Sequence, residues 1–228
     1  MAEHTHGMVH EHRAVQGGTV RAAVFGVSDG LVSNVALILG VAAAATEAGT
    51  VLLAGVSGLL AGAASMAAGE YVSVKAQAEL IERELDIERA SIAEKPRAER
   101  QELAGIYMRR GIDAEHAEAM ADAVHADPDV ALEVHAREEL GVDPDDVGNA
   151  IGAALSSFVA FSLGAAVPLL PWLFGAGDLA TIASVVLGLF ASAVVGLVLA
   201  TFTERSRLVT VGRQVGLAKV SPQATAAS

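Results

Sequence analysis

Cysteine is absent from this 228-residue chain. That excludes a disulfide framework, a thiolate metal site and a cysteine nucleophile, so any bound metal must rely on oxygen, imidazole or thioether ligands. Aromatic residues are scarce at 4%, whereas 53% of residues are apolar, a balance foreign to soluble domains. The first twenty residues hold two acids and lack a basic n-region ahead of an apolar core, so they do not read as a cleaved signal peptide, and the first apolar stretch is expected to be kept. No segment alternates with the period of two that a strand requires, and no internal repeat is evident. What the chain has in quantity is Ala, Gly, Val and Leu in long tracts, which points to lipid as the solvent.

Four stretches, 22–45, 51–74, 151–174 and 179–202, each supply about the 20 apolar residues a helix needs to cross ~30 Å of hydrocarbon. The connections at 46–50 and 175–178 are short, so the spans pair as two antiparallel hairpins. Of fifteen Lys and Arg residues, two lie at or before Arg21, nine from Lys75 to Arg137 and four from Arg205 to Lys219, with none in the short loops. All three basic regions fall on one face of a four-span topology, which the positive-inside rule makes cytoplasmic, both termini included. The segment 76–146 carries twenty acids and eight bases, and the remainder seven of each, so this insert holds the whole net charge of −12.

The expected fold is thus an all-α integral membrane protein with an acidic three-helix cytoplasmic insert between the second and third spans. Its parts are a His-containing tail (1–20), a first hairpin (21–75), an acidic metal-binding domain (76–146), a second hairpin (147–203) and a C-terminal segment (204–228). Within the insert, the second span should continue through Lys95. Helices then open at Pro96, at Asp113 and at Pro128, the first closing near Gly111 and the last at Gly141. Asp143 and Pro144 are expected to cap entry into the third span, and Pro168 and Pro171 to free backbone carbonyls and kink it. Gly55, Gly58, Gly62 and Ser65, spaced by three and four, favour close helix packing.

Asp29 lies about 10 Å inside the cytoplasmic end of the first span, where a carboxylate costs on the order of 2.5–3.5 kcal/mol. It should therefore face a partner or a wet cavity, or else neutralise and serve helix packing. Met66 and Glu70 share one face of the second helix, about 12 and 6 Å from its cytoplasmic end, bracketing the depth of Asp29. Oxygen and thioether ligands together suit an ion such as Fe²⁺ better than Mg²⁺ or Ca²⁺, although a lone Met in an apolar helix also packs. In the insert Glu88, Glu99, Glu102, Glu138 and Glu139 stand out among acids that otherwise keep a helical face solvated. Asp113 with His116 and Asp122 with His125 are spaced as carboxylate–histidine pairs, but the Glu-x-x-His pairs of di-iron bundles are missing. His4, His6, His10 and His12 form a spacing that binds divalent metal loosely or is incidental.

With GVSDGLVSNVALILGV in the first span, AGAASMAAGEYVSVKAQAEL leaving the second, and AGIYMRRGI and HAREELGVDP in the insert, the chain resembles the vacuolar iron transporter family from about Gly18 to Arg205. The resemblance implies a homodimer that moves Fe²⁺ or Mn²⁺ out of the cytosol in exchange for protons. It implies a pathway lined by Asp29, Met66 and Glu70, and a cytoplasmic domain that collects ions through Glu88, Glu99, Glu102 and Glu139. Ser91 stands where the family pattern favours glutamate, and His135 with Ala136 where some relatives carry methionines. VGRQVGLAKV looks like the start of the family's fifth span but stops before it crosses. The expectation is accordingly a proton-coupled antiporter of Fe²⁺ or Mn²⁺ in a bacterial cytoplasmic membrane. Its partners are metal ions, protons, lipid and a second copy, with no nucleic acid and no permanently bound cofactor. The other readings are a membrane metal sensor or buffer without flux, and a membrane-bound ferroxidase.

Overall fold

Ala- and Leu-rich tracts without interior proline form helix at little entropic cost, and in lipid a helix satisfies its own backbone. The computed structural model describes residues 18–44, 47–203 and 212, and among these there is no strand. The expectations for His4, His6, His10 and His12, and for a fifth span, fall outside the described residues. The helices are α1 (Gly18–Ala44), α2 (Ala48–Glu94), α3 (Pro96–Arg109), α4 (Ala114–Val124), α5 (Pro128–His135), α6 (Ala150–Ala166) and α7 (Gly177–Thr203). A π-helical turn, Ala136–Leu140, prolongs α5, and a 3₁₀ segment, Val167–Leu173, prolongs α6. Among the described residues, four helical stretches are long and apolar enough to cross a membrane: Ala22–Ala44, Ala48–Glu94, Ala150–Leu173 and Gly177–Val198. They coincide with the four spans expected from the sequence, and the protein is an integral membrane protein.

The chain divides into two compact units, residues 1–67 with 155–228, and residues 68–154. In the first unit the membrane helices pack through small residues. A Cβ on Gly30 of α1 would collide with Phe161 O, and one on Gly164 of α6 would collide with Val27 O, so each helix brings a glycine to the other's backbone. A Cβ on Gly55, Gly58 or Gly62 of α2 would collide with the side chains of Leu169, Leu37 and Phe161 respectively, the close approach their spacing suggests. Ile38, Ala42, Val51, Leu169, Trp172 and Ala180 form a buried cluster beside these crossings. Prolines 168 and 171 lack the N–H an α-helix needs, and the chain tightens into the 3₁₀ segment instead. The hydroxyl of Ser184 on α7 lies 2.7 Å from Pro168 O and 2.9 Å from Ala180 O and shares its one proton between them. Gly164→Ala is expected to destabilise the protein by about 1–3 kcal/mol, the usual cost of overpacking. Gly49→Ala, whose added Cβ meets nothing within 4 Å, should leave thermal unfolding in detergent unchanged or slightly raised.

The second unit contains the C-terminal part of α2 with α3, α4 and α5. Leu103, Ala104, Ile106 and Tyr107 of α3 pack on Ala117 and Ala121 of α4. Leu85 and Ile92 of α2 pack on Ala131, Leu132 and Ala136. Pro96 opens α3, the Asp113 carboxylate accepts from His116 N to cap α4, and Asp127 caps α5 just before Pro128. Gly141 closes the π turn in the left-handed conformation (φ +65°), its N–H donating to Ala136 O. One expectation is corrected here. Asp143 does not cap the third span: its side chain accepts from Asp145 N at 3.2 Å in a tight local turn. The chain then passes Gly148 at φ +93°, and Asn149 Oδ1 accepts from Gly152 N to cap α6. A side-chain oxygen two residues ahead competes well for a nearby N–H, which is why Asp-Pro starts a turn here rather than a helix.

Candidate metal centre

On α2, Glu88 falls between Leu85 and Ile92 at spacings of three and four, so a carboxylate occupies the stripe that buries apolar residues. On α5, Ala131, Leu132 and His135 lie on the buried face, and Glu139 follows His135 by four residues on the π turn. These two elements bring Glu88, His135 and Glu139 together, with one potential ligand atom of each within 4.8 Å of the others. His135 Nδ1 lies 2.8 Å from Glu139 Oε1 and 3.0 Å from Glu88 Oε1. The imidazole is fully buried, and the two carboxylates keep only 13% and 20% of their side-chain exposure. Nδ1 forms its hydrogen bond with Glu139. Glu88 Oε1 and His135 Nε2 are buried without a hydrogen-bond partner. The ring of His125 stands edge-on to that of His135, centroids 5.2 Å apart, and its Nδ1 hydrogen-bonds to Ala121 O.

Glu99 and Glu102 project from α3, three residues apart, Glu99 buried and Glu102 exposed. Their negative charges reach the cluster without belonging to the three-ligand group. Burial first, then Glu102 and Glu99, raise the Glu139 carboxyl to about 7. Burial and the charge of Glu139 likewise raise Glu88, with His135 opposing. Desolvation lowers His125, favouring its neutral form. Converging carboxylates held in a half-dry site repel one another and favour either a proton or a cation among them. Divalent ions compete with protons for such ligands. Protonation of Glu139 is therefore favoured as the pH falls through about 7. Mn²⁺ affinity of the insert is expected to rise about tenfold per pH unit up to pH 7 and to flatten above pH 8. Titration calorimetry of the full chain with Mn²⁺ at pH 6, 7 and 8 checks this, and Glu139→Gln should flatten the profile.

The other expected site residues are placed as follows. Asp29 is on an exposed face of α1, and its carboxylate is 3.3 Å from the hydroxyl of Ser33, which also donates to Asp29 O. Met66 packs against Ala63, Phe161 and Ala165. Glu70, half-buried, is one turn further along α2. Glu138 forms an ion pair with Arg110. His116 bonds Asp113 at 2.8 Å as part of a helix cap, and Asp122 pairs with Arg100 at 2.9 Å, so neither Asp-x-x-His spacing builds a metal pair.

The VIT family matches residues 20–227 of this chain. The chain belongs to that family. Among the relatives it resembles, the Vacuolar iron transporter 1 of Eucalyptus grandis is 33% identical over 207 residues, 89% of this chain and 83% of that protein. The Vacuolar iron transporter 1 of Arabidopsis thaliana is 34% identical over 195 residues, 85% of this chain and 78% of that protein. A shorter stretch of 74 residues, 32% of this chain and 31% of the relative, is 55% identical to the Vacuolar iron transporter homolog 4 of Oryza sativa subsp. japonica.

In this VIT family chain, the member of the cluster that was not among the candidate ligands from the sequence is His135. Its signal was a histidine four residues before a glutamate, on the apolar face of a helix that opens at Pro128. Glu88 carried a similar signal, an acid flanked by Leu85 and Ile92 within the buried stripe.

Proposed function

We propose that the protein is a proton-coupled exporter of Fe²⁺ or Mn²⁺, moving the ion out of the cytosol across the membrane its four helices span. The observation that carries this reading is the convergence of Glu88 and Glu139 on His135, with Glu99 and Glu102 adding field around them. Relatives named vacuolar iron transporters, alike over more than four-fifths of this chain, support it. Family membership sets the chain among transporters, and the ferroxidase reading falls away. In this proposal residues 76–146 form a cytoplasmic domain, both termini are cytoplasmic, and the working unit is a homodimer in a bacterial cytoplasmic membrane. The acidic insert raises the local concentration of divalent ions. The ion passes to Asp29, Met66 and Glu70 in the spans, where ligation and protonation exclude one another. A proton entering from the far side then drives the ion off, and loss of that proton to the cytosol resets the carboxylates.

The test is Fe²⁺ and Mn²⁺ flux into sealed liposomes containing the purified protein under an imposed pH gradient. Flux that follows the gradient is the expected result. Saturable binding with no flux in either direction would overturn transport and leave a sensor or buffer.

A further inference from the structure

Three features at the insert point beyond a simple carboxylate trap. Nδ1 of His135 lies within 3.0 Å of oxygens from two different helices, a tighter approach than collecting negative charge requires. Glu88 Oε1 is buried and receives no hydrogen bond despite that proximity, because Nδ1 makes its one hydrogen bond with Glu139. A buried carboxylate oxygen without a donor costs well over an ordinary hydrogen bond. One change satisfies both oxygens together: a cation takes the place of the Nδ1 proton and binds the ring nitrogen and the two oxygens at once, while the ring stays neutral with its proton on Nε2. The ring is fixed for this, being fully buried and packed edge-on to His125.

We propose that His135 is itself a ligand in the insert's metal centre, binding through Nδ1 beside Glu88 and Glu139 and so selecting first-row transition ions over Ca²⁺ and Mg²⁺. Imidazole nitrogen is a good ligand for Fe²⁺, Zn²⁺ and their neighbours, and a poor one for the hard ions that want oxygen alone. The donor set is therefore mixed nitrogen and oxygen, and the choice of ion is made at the insert. His125 is not part of that set: its Nδ1 is engaged with Ala121 O, and it supports the His135 ring by contact. The proposal rests on the reading of the insert as the collection site.

The experiment is electron spin-echo spectroscopy of Mn²⁺ on the full chain, with His4, His6, His10, His12 and His116 replaced by Ala. Modulation from a directly bound ¹⁴N is expected, persisting in on the order of a hundredfold excess of Ca²⁺ or Mg²⁺. It should vanish in His135→Gln and remain in His125→Gln. Should His135→Gln fail to fold, full modulation in His125→Gln still assigns the nitrogen to His135. Tightly bound Mn²⁺ without ¹⁴N modulation, or modulation lost in His125→Gln, would overturn the proposal while the collection site stands. Failure of Mn²⁺ to bind, or binding indifferent to Glu88→Gln with Glu139→Gln, would remove the collection site and this proposal with it.

Discussion

Replacing Asp29 with Ala or with Asn is expected to reduce metal flux in liposomes to the level of protein-free vesicles, while the folded yield and thermal unfolding stay at or above wild type. The separation of the two readouts follows from where the side chain sits. Gly26 and Gly30 put the packed face of α1 against α6, and a helix turns about 100° per residue, so Asp29 points off that face. It is exposed on the single chain, and the hydroxyl near it belongs to Ser33 on the same helix. Removing the carboxylate opens no cavity and leaves no buried donor without a partner. A charge in hydrocarbon costs about 2.5–3.5 kcal/mol, so the fold gains when it is lost. An acid kept at such a cost serves something other than the fold. The Asn variant separates charge from shape: it retains the hydrogen-bonding outline and lacks the ionisable carboxylate to which the proposal assigns the exchange of a proton for a metal. Flux retained in both variants would remove Asp29 from the pathway; lost folding would make it a packing residue.

The elements that were legible in the sequence are those governed by local rules. Span boundaries follow from hydropathy over about 20 residues, and the insert helices from Pro96, Asp113 and Pro128 at their starts and Gly141 at an end. The glycine spacing in α2 foretold close approach because the absent Cβ is a local property. Less legible was the entry to α6, where Asp143 and Pro144 carry the same residue types as a cap but close a turn on Asp145. Gly148 and Asn149 decide the start, and only the path of the chain between them reveals it. The candidate cluster is half legible. Five glutamates of the insert, Glu88, Glu99, Glu102, Glu138 and Glu139, stand out in the sequence, but the twenty acids there hide that only Glu88 and Glu139 converge. His135 joins them through the packing of α5 on α2, a contact across more than forty residues that no local pattern reports.

That packing is also the basis for the second large effect. Glu88→Gln combined with Glu139→Gln is expected to weaken Mn²⁺ binding by the full chain by about a hundredfold or more, since losing two carboxylate ligands costs at least what altering groups that merely orient ligands does. Flux at low metal concentration should fall in step, while flux at saturating metal approaches wild type. The amide keeps the volume of the carboxylate and its place in the stripe between Leu85 and Ile92, so Ala131, Leu132 and Ala136 lose no contacts. What it removes is the repulsion among half-buried acids, and the doubly substituted insert should unfold at a higher temperature than wild type without metal. With saturating Mn²⁺ that order should reverse, because the ion stabilises only the protein that binds it. A crossing of the two melting temperatures with metal concentration is thus the signature of a site built to bind. Two curves that shift in parallel would mean these acids shape the insert and capture nothing.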